Sequence, residues 1–332
     1  MFRTRLFEKT KMKKGANLGD VSKIFQICCK MGEQAKKYAV VTGANKGIGF
    51  ETVRQLCNQG VTVVLTARDH NKGVEAIDKL HQVGLSDRVL FHQLDVLDPL
   101  SVQALASFIS NSFGRLDILV NNAGASGVVV DEESLRALNI DPRDWLAGKV
   151  TTLVQGVVKQ TYEKAEECLN TNYYGVKRVT EALLPLLQLS PFGARIVNVS
   201  SLRSELKRIP SQSLRDELGN IESLTEEKLD AILKRFLHDL KENQLEANGW
   251  TMMLPAYSIS KQTLNAYTRI TAKKYPHMYI NCVHPGYVNT DINWHTGPQS
   301  VEEGARGSVK LALLPDGGPS GCYFDQTELA EF

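Results

Sequence analysis

The stretch Thr42-Gly43-Ala44-Asn45-Lys46-Gly47-Ile48-Gly49 decides the reading of this chain. It follows the apolar run Tyr38-Ala39-Val40-Val41 and leads into an amphipathic segment over 50–58. A chain leaving a strand here must turn tightly, let its backbone approach a ligand and bring a helix close to the sheet. Glycine meets each need because it lacks a Cβ and tolerates positive φ. A helix opening at the loop offers unpaired N–H groups and a partial positive charge, which suits a phosphate. The loop is therefore read as a pyrophosphate cradle formed by Gly43, Asn45, Lys46, Gly47, Ile48 and Gly49. A glycine-rich structural turn is the plainer alternative, and the position between a strand and a helix weighs against it.

Working outward, short β-branched runs predict strands over 38–41, 61–65, 89–93, 116–120, 195–199 and 279–283. Helical patterns over 50–58, 71–83 and 101–112 lie between them. Strands that are apolar throughout, alternating with helices, imply a parallel sheet covered on both faces. Right-handed crossovers make that an α/β doubly wound fold. Two stretches break the rhythm and read as helical insertions, at about 125–170 and 202–256. The first shows no strand pattern. In the second, Leu229, Ile232, Leu233, Phe236, Leu237 and Leu240 form a helical stripe. Thr225 is its expected N-cap, followed by Glu226 and Glu227 where the helix dipole favours anions.

The end of the second strand bears on which dinucleotide fits. An acidic residue there pairs with ribose hydroxyls, whereas an arginine accommodates a 2′-phosphate. The sequence reads Thr66-Ala67-Arg68-Asp69, so Arg68, with Lys46 nearby and Lys72 if it opens the next helix, points to NADPH. Asp69, if turned inward, would reverse that preference. Asp95 and Val96, after the third strand, are placed to touch the adenine.

Composition narrows the classes. The 332 residues are 42% hydrophobic and 23% charged with a net charge of +2, which fits a folded globular chain and gives no general field for nucleic acid. Residues 1–30 carry +6 and the remainder −4. That leader has no apolar core of a secretory signal, and residues 1–36 read as a basic, disordered extension, with Met31 as an alternative start. No apolar run approaches the ~18 residues of a membrane span. Cys28, Cys29, Cys57, Cys168, Cys282 and Cys322 show no metal spacing, so no metal is assigned; thiols in a reducing, cytoplasmic compartment are expected.

Further motifs follow in a fixed order: Asn121-Asn122-Ala123-Gly124, Asn172-Tyr173-Tyr174-Gly175, Val199-Ser200-Ser201, Tyr257-Ser258-Ile259-Ser260-Lys261 and Pro285-Gly286-Tyr287-Val288-Asn289-Thr290-Asp291. Together with the glycine loop, this series resembles the short-chain dehydrogenase/reductase superfamily over most of 37–325. The resemblance implies a single Rossmann-type domain over 37–332. It also implies a tetrad of Tyr257 (acid/base), Lys261 (its helical partner), Ser201 (carbonyl-orienting, with Ser200 the adjacent alternative) and Asn172 (proton relay). Asn122, Tyr257, Lys261, Pro285, Gly286, Val288 and Thr290 would join the cofactor site, and Ser201 and Tyr257 would meet the substrate. Tyr257 and Lys261, four apart, share a helix face. A nearby ammonium and an oxidised nicotinamide would lower the phenol from its usual ~10. His284 is tempting as a base but is expected to pack beneath the loop that follows it.

Ser201 and Tyr257 lie 56 positions apart, where ordinary members have about a dozen. An insertion of that size is similar to the monomeric carbonyl reductases. The stretch at 125–170 is similar to their plant members, the neomenthol dehydrogenase and salutaridine reductase type. Phrases carrying that likeness include Leu224-Thr225-Glu226-Glu227 and Leu264-Asn265-Ala266-Tyr267-Thr268-Arg269. The resemblance implies an NADPH-dependent, monomeric carbonyl reductase acting on an apolar, cyclic, small-molecule ketone or aldehyde. Met252 and Met253 are candidate pocket residues. The alternatives are a silent NADPH-binding redox sensor and an enzyme run as an alcohol dehydrogenase.

Overall fold

The computed structural model describes residues 36–332; the basic stretch 1–30, Met31, Cys28 and Cys29 lie outside them. Six expected strands are present as β1 (Tyr38–Val41), β2 (Thr62–Ala67), β3 (Val89–Gln93), β4 (Ile118–Asn121), β7 (Arg195–Val199) and β8 (Tyr279–His284). They pair in parallel, with Val40 beside Val64 on one side and Leu119 on the other. β2 runs further than its apolar pattern because the Thr66 hydroxyl donates to the Val41 carbonyl, which satisfies a polar group inside the sheet. The strand order β10-β9-β8-β7-β4-β1-β2-β3 includes two pieces that the sequence pattern did not announce. These are β9 (Tyr323–Asp325), parallel to β8, and β10 (Glu328–Ala330), antiparallel to β9. Three residues apiece are too short to display a periodicity.

Each sheet face carries a core. On one side Val41, Val63, Leu65 and Ile118 pack beneath the helices Gly47–Asn58 and Val301–Ala312. On the other Val40, Val64, Leu119 and Ile196 meet the helices Pro99–Phe113 and Val176–Leu187.

The insertions build their own cores. In the first, where no strand was expected, a two-stranded hairpin forms from β5 (Val129–Val130) and β6 (Val158–Lys159). It closes a cluster of Val128, Trp145, Val154, Met253 and Trp294, so this insertion packs onto the segments before Pro255 and after β8. In the second, the helix Glu226–Lys241 is capped by Thr225, whose hydroxyl accepts from Lys228 N at 3.3 Å. Its stripe of Leu229, Ile232, Leu233 and Phe236 is buried against the helix Pro255–Lys274. Phe236 is fully buried, edge-on to Trp250 at 5.3 Å. Among the described residues no helix is long and apolar enough to cross a membrane.

Truncating Phe236 leaves a large void against Trp250. Phe236→Ala is expected to lower the unfolding free energy by about 3–5 kcal/mol in urea denaturation; a loss under about 1 kcal/mol would mean Phe236 is not packed against Trp250 as described.

Candidate active site

The glycine loop is held from below. Asn122 Nδ2 donates to the carbonyls of Thr42 (2.9 Å) and Gly43 (3.0 Å), and the Thr42 hydroxyl accepts from the Asn122 and Ala123 amides. Gly43 sits at φ +61°, and a Cβ there would lie 2.8 Å from Ala123 Cα. A Cβ on Gly49 would lie 2.4 Å from Asn122 Nδ2. Glycine is required at both positions for the loop to close on Asn122. The helix Gly47–Asn58 starts without a side-chain cap and without an acidic residue in its first turn. The helices that begin at His70, Pro99, Glu226 and Val301 all have capping side chains. The amides at the loop thus keep their affinity for an anion.

A groove of about 470 Å³ runs from this loop across the carboxyl ends of the strands. Gly43, Asn45, Lys46, Gly47, Ile48, Gly49, Arg68, Asp95, Val96, Asn122, Tyr257, Lys261, Pro285 and Thr290 all line it. Three details change the expectation. Lys46 is ion-paired with Asp291 across the groove, so its charge is shared. Asp69 caps the helix His70–Gln82, its carboxylate accepting from Lys72 N, and is not turned inward. Lys72 does lie in that helix's first turn, yet it does not line the groove.

Beside the groove lies a cavity of about 100 Å³, which holds Ser201, Gly286, Val288 and His284 together with Trp145 and Trp294. Tyr257 borders both spaces. The T-shaped pair Trp145–Trp294 (6.2 Å) and the buried Arg203 also line this side. Sequence reading missed these residues, because Trp145 and Arg203 sit in insertions whose path no pattern predicts.

Tyr257 and Lys261 rise from the helix Pro255–Lys274, which is buried on nearly every side. Lys261, 4% exposed, donates from Nζ to the Val199 carbonyl at 2.8 Å and lies 5.7 Å from the Tyr257 ring centre. Asn265 on the same helix accepts from the Ser200 hydroxyl (2.6 Å) and donates to Ser204 Oγ (2.8 Å). Ser204 in turn donates to the Ser201 carbonyl (2.5 Å), and Gln262 donates to the Arg203 carbonyl (3.2 Å). One helix therefore holds the whole 199–204 segment. Ser200 is used up in that scaffold, which leaves Ser201 as the serine facing Tyr257.

Asn172 is placed differently from the other three. It lies on a π-helical turn, Asn170–Gly175, and is fully buried outside both spaces. Its amide accepts from Ala125 N (2.8 Å) and donates to Ala125 O (3.0 Å) and Ser260 Oγ (2.9 Å). It ties the loop after β4 to the helix that carries Tyr257.

Burial dominates the electrostatics. It pushes the Tyr257 phenol up to about 12, with Ser201 and Arg203 pulling the other way. The lowered value expected from sequence refers to a site holding an oxidised nicotinamide; within the chain itself, burial outweighs the neighbouring groups, and Lys261 is turned to Val199 O. Burial draws Lys261 down to about 8. Burial holds the His284 imidazole below its usual range, which favours its neutral form, and its Nδ1 has no hydrogen-bond partner. It both packs below the loop and lines the small cavity. Among the described residues no cluster suits a metal ion.

Comparison with known proteins places this geometry. The family model for short chain dehydrogenase matches residues 37–213. (+)-Neomenthol dehydrogenase of Arabidopsis thaliana is 48% identical over 305 residues, covering 91% of this chain and 100% of that protein. Short-chain dehydrogenase/reductase 1 of Saponaria officinalis is 53% identical over 304 residues, covering 90% and 96%. The solved structure of salutaridine reductase from Papaver somniferum superposes with a TM-score of 0.81 at 48% identity, covering 87% of this chain and 99% of that one.

Proposed function

The chain belongs to the short-chain dehydrogenase family and is an oxidoreductase of the kind that uses a nicotinamide cofactor, and we propose that it is an NADPH-dependent reductase of apolar, cyclic ketones or aldehydes. The observation that carries this reading is the position of Tyr257, the one proposed proton donor, on the boundary between the dinucleotide groove and the small apolar cavity.

The uncapped helix start, the Asn122-braced glycine loop and Arg68 fit a phosphorylated dinucleotide, which supplies the hydride when bound. Hydride arriving at a carbonyl carbon builds negative charge on the oxygen. Tyr257, held protonated by burial, gives that oxygen its proton. The Ser201 hydroxyl donates a hydrogen bond to the same oxygen as charge develops. Lys261, fixed by Val199 O, supplies the positive charge that stabilises the phenolate left behind. Asn172 serves the proton path by anchoring the loop after β4 to this helix. Arg68 favours the 2′-phosphate, because Asp69 is committed to helix capping. On this reading the enzyme acts as a cytoplasmic monomer, its second insertion covering the outer side of the Tyr257 helix.

Tyr257→Phe is expected to cut kcat for menthone reduction, followed by NADPH absorbance, by ~10²–10⁴, with NADPH affinity by calorimetry unchanged; equal rates would remove Tyr257 from this role. Because Lys261 is charged below about pH 8 and neutral above it, kcat/KM for reduction should be level at lower pH. It should then fall about tenfold per unit above the inflection, which Lys261→Met should abolish. Arg68→Ala should raise KM for NADPH by about 10- to 100-fold, the loss of a charge-assisted contact, while leaving KM for NADH within about twofold.

A further inference from the structure

The cavity that Tyr257 borders has an apolar wall of Trp145, Trp294 and Val288, yet a cation is set in the same wall. Arg203 lines the cavity and is 6% exposed. Burial draws its guanidinium down to about 10, so it stays charged at neutral pH. A guanidinium carries five N–H donors in a planar fork. Among the described residues this one reaches a single acceptor: Nη2 donates to the Trp145 carbonyl, while Nε and Nη1 have no hydrogen-bond partner. No carboxylate among the described residues pairs with it. Glu205, two positions on, is committed to Arg208 at 2.9 Å and to Lys207 at 3.3 Å.

A purely structural role accounts for only part of this. Arg203 and Arg208 both reach the C-terminal end of the helix Pro142–Ala147, where carbonyls lack intrahelical partners. Arg208 serves that end by donating to the Leu146 carbonyl at 3.0 Å, and it does not line the cavity. Arg203 does line it, and a buried charge with unmet donors costs free energy until a ligand supplies acceptors. His284 stands in the same wall with its Nδ1 unpartnered. Arg203 is also fixed relative to the reacting groups. Its backbone N–H donates to Ser201 Oγ at 3.2 Å, and its carbonyl accepts from Gln262 on the helix that carries Tyr257. The cavity thus has two polar poles: Tyr257 with Ser201, and Arg203.

We propose that Arg203 is a specificity-determining residue whose free N–H groups donate to a second oxygen of the substrate, so that the chain selects carbonyl compounds bearing a further acceptor oxygen over hydrocarbon counterparts of the same size. This rests on the reductase reading, in which Tyr257 and Ser201 take the reacting carbonyl, and adds a selection rule to it.

The test is kcat/KM with NADPH for 2-, 3- and 4-methoxycyclohexanone, each against the ethylcyclohexanone substituted at the same position, which matches its size and lacks the oxygen. At one position at least, the methoxy compound should be favoured about 10- to 100-fold, the worth of a hydrogen bond to a charged group, mostly through KM. Arg203→Met should bring that ratio to within about threefold of unity, since the donors are gone. Arg203→Lys keeps the charge but loses the planar fork, and should reduce the preference at least about threefold. The ratio cancels any general loss of activity, so an arginine that merely holds Trp145 would leave it unmoved. Turnover with no methoxy preference at any position overturns the role of Arg203 alone, as does a preference left unaltered in either variant. Absence of turnover for every compound overturns the reductase reading and this proposal with it.

Discussion

The hydrogen bond from Lys261 Nζ to the Val199 carbonyl is the constraint on which the site depends. A lysine that is 4% exposed cannot keep its charge without a partner, and a carbonyl at the end of β7 provides one. The same helix repeats the device with Asn265 and Gln262, so the turn bearing Ser201 is pinned on both sides, at Val199 and Ser200 and at Arg203 and Ser204. Ser201 and Tyr257 then keep their separation because both are referred to one buried helix. Placing reactive groups on a rigid element, with locked neighbours, is what holds a site to sub-ångström tolerance.

The same burial sets the protonation states. It moves the phenol up and the ammonium down, each toward its neutral form. A phenol kept protonated can act as a proton donor. Tyr257 packs against the core of the second insertion, and Trp145 and Met253 of the insertions join Trp294, after β8, in a further cluster that roofs the site. The framework and the roof are thus separate structures with separate cores. The first is built on the parallel sheet and the second on the inserted stretches.

Much of this was legible in the sequence, for a physical reason. β1 matched its expected bounds because a strand covered on both faces is apolar without interruption, and β3 and β7 matched although His92, Gln93, Arg195 and Asn198 interrupt theirs. The glycine loop, Arg68 and the Tyr257–Lys261 spacing were legible because each obeys a local rule of backbone or helix geometry. What failed to show was nonlocal. The β5–β6 hairpin has two residues per strand and exists only because the insertion closes on itself. Lys46 paired with Asp291 and Asn172 turned to Ala125 each depend on a partner that no spacing names. The burial that raises the phenol was not legible, because a neighbouring charge is visible in sequence, whereas the depth of burial is not.

The three tryptophans divide unevenly between these structures. Trp145 and Trp294 stand in T-contact on the wall of the reaction cavity. Trp250 is sealed beside Phe236, its indole N–H held by Asp239 at 2.8 Å. Two of the chain's three indoles therefore stand on a cavity wall, where a bound molecule would alter their surroundings, while the third is enclosed by protein.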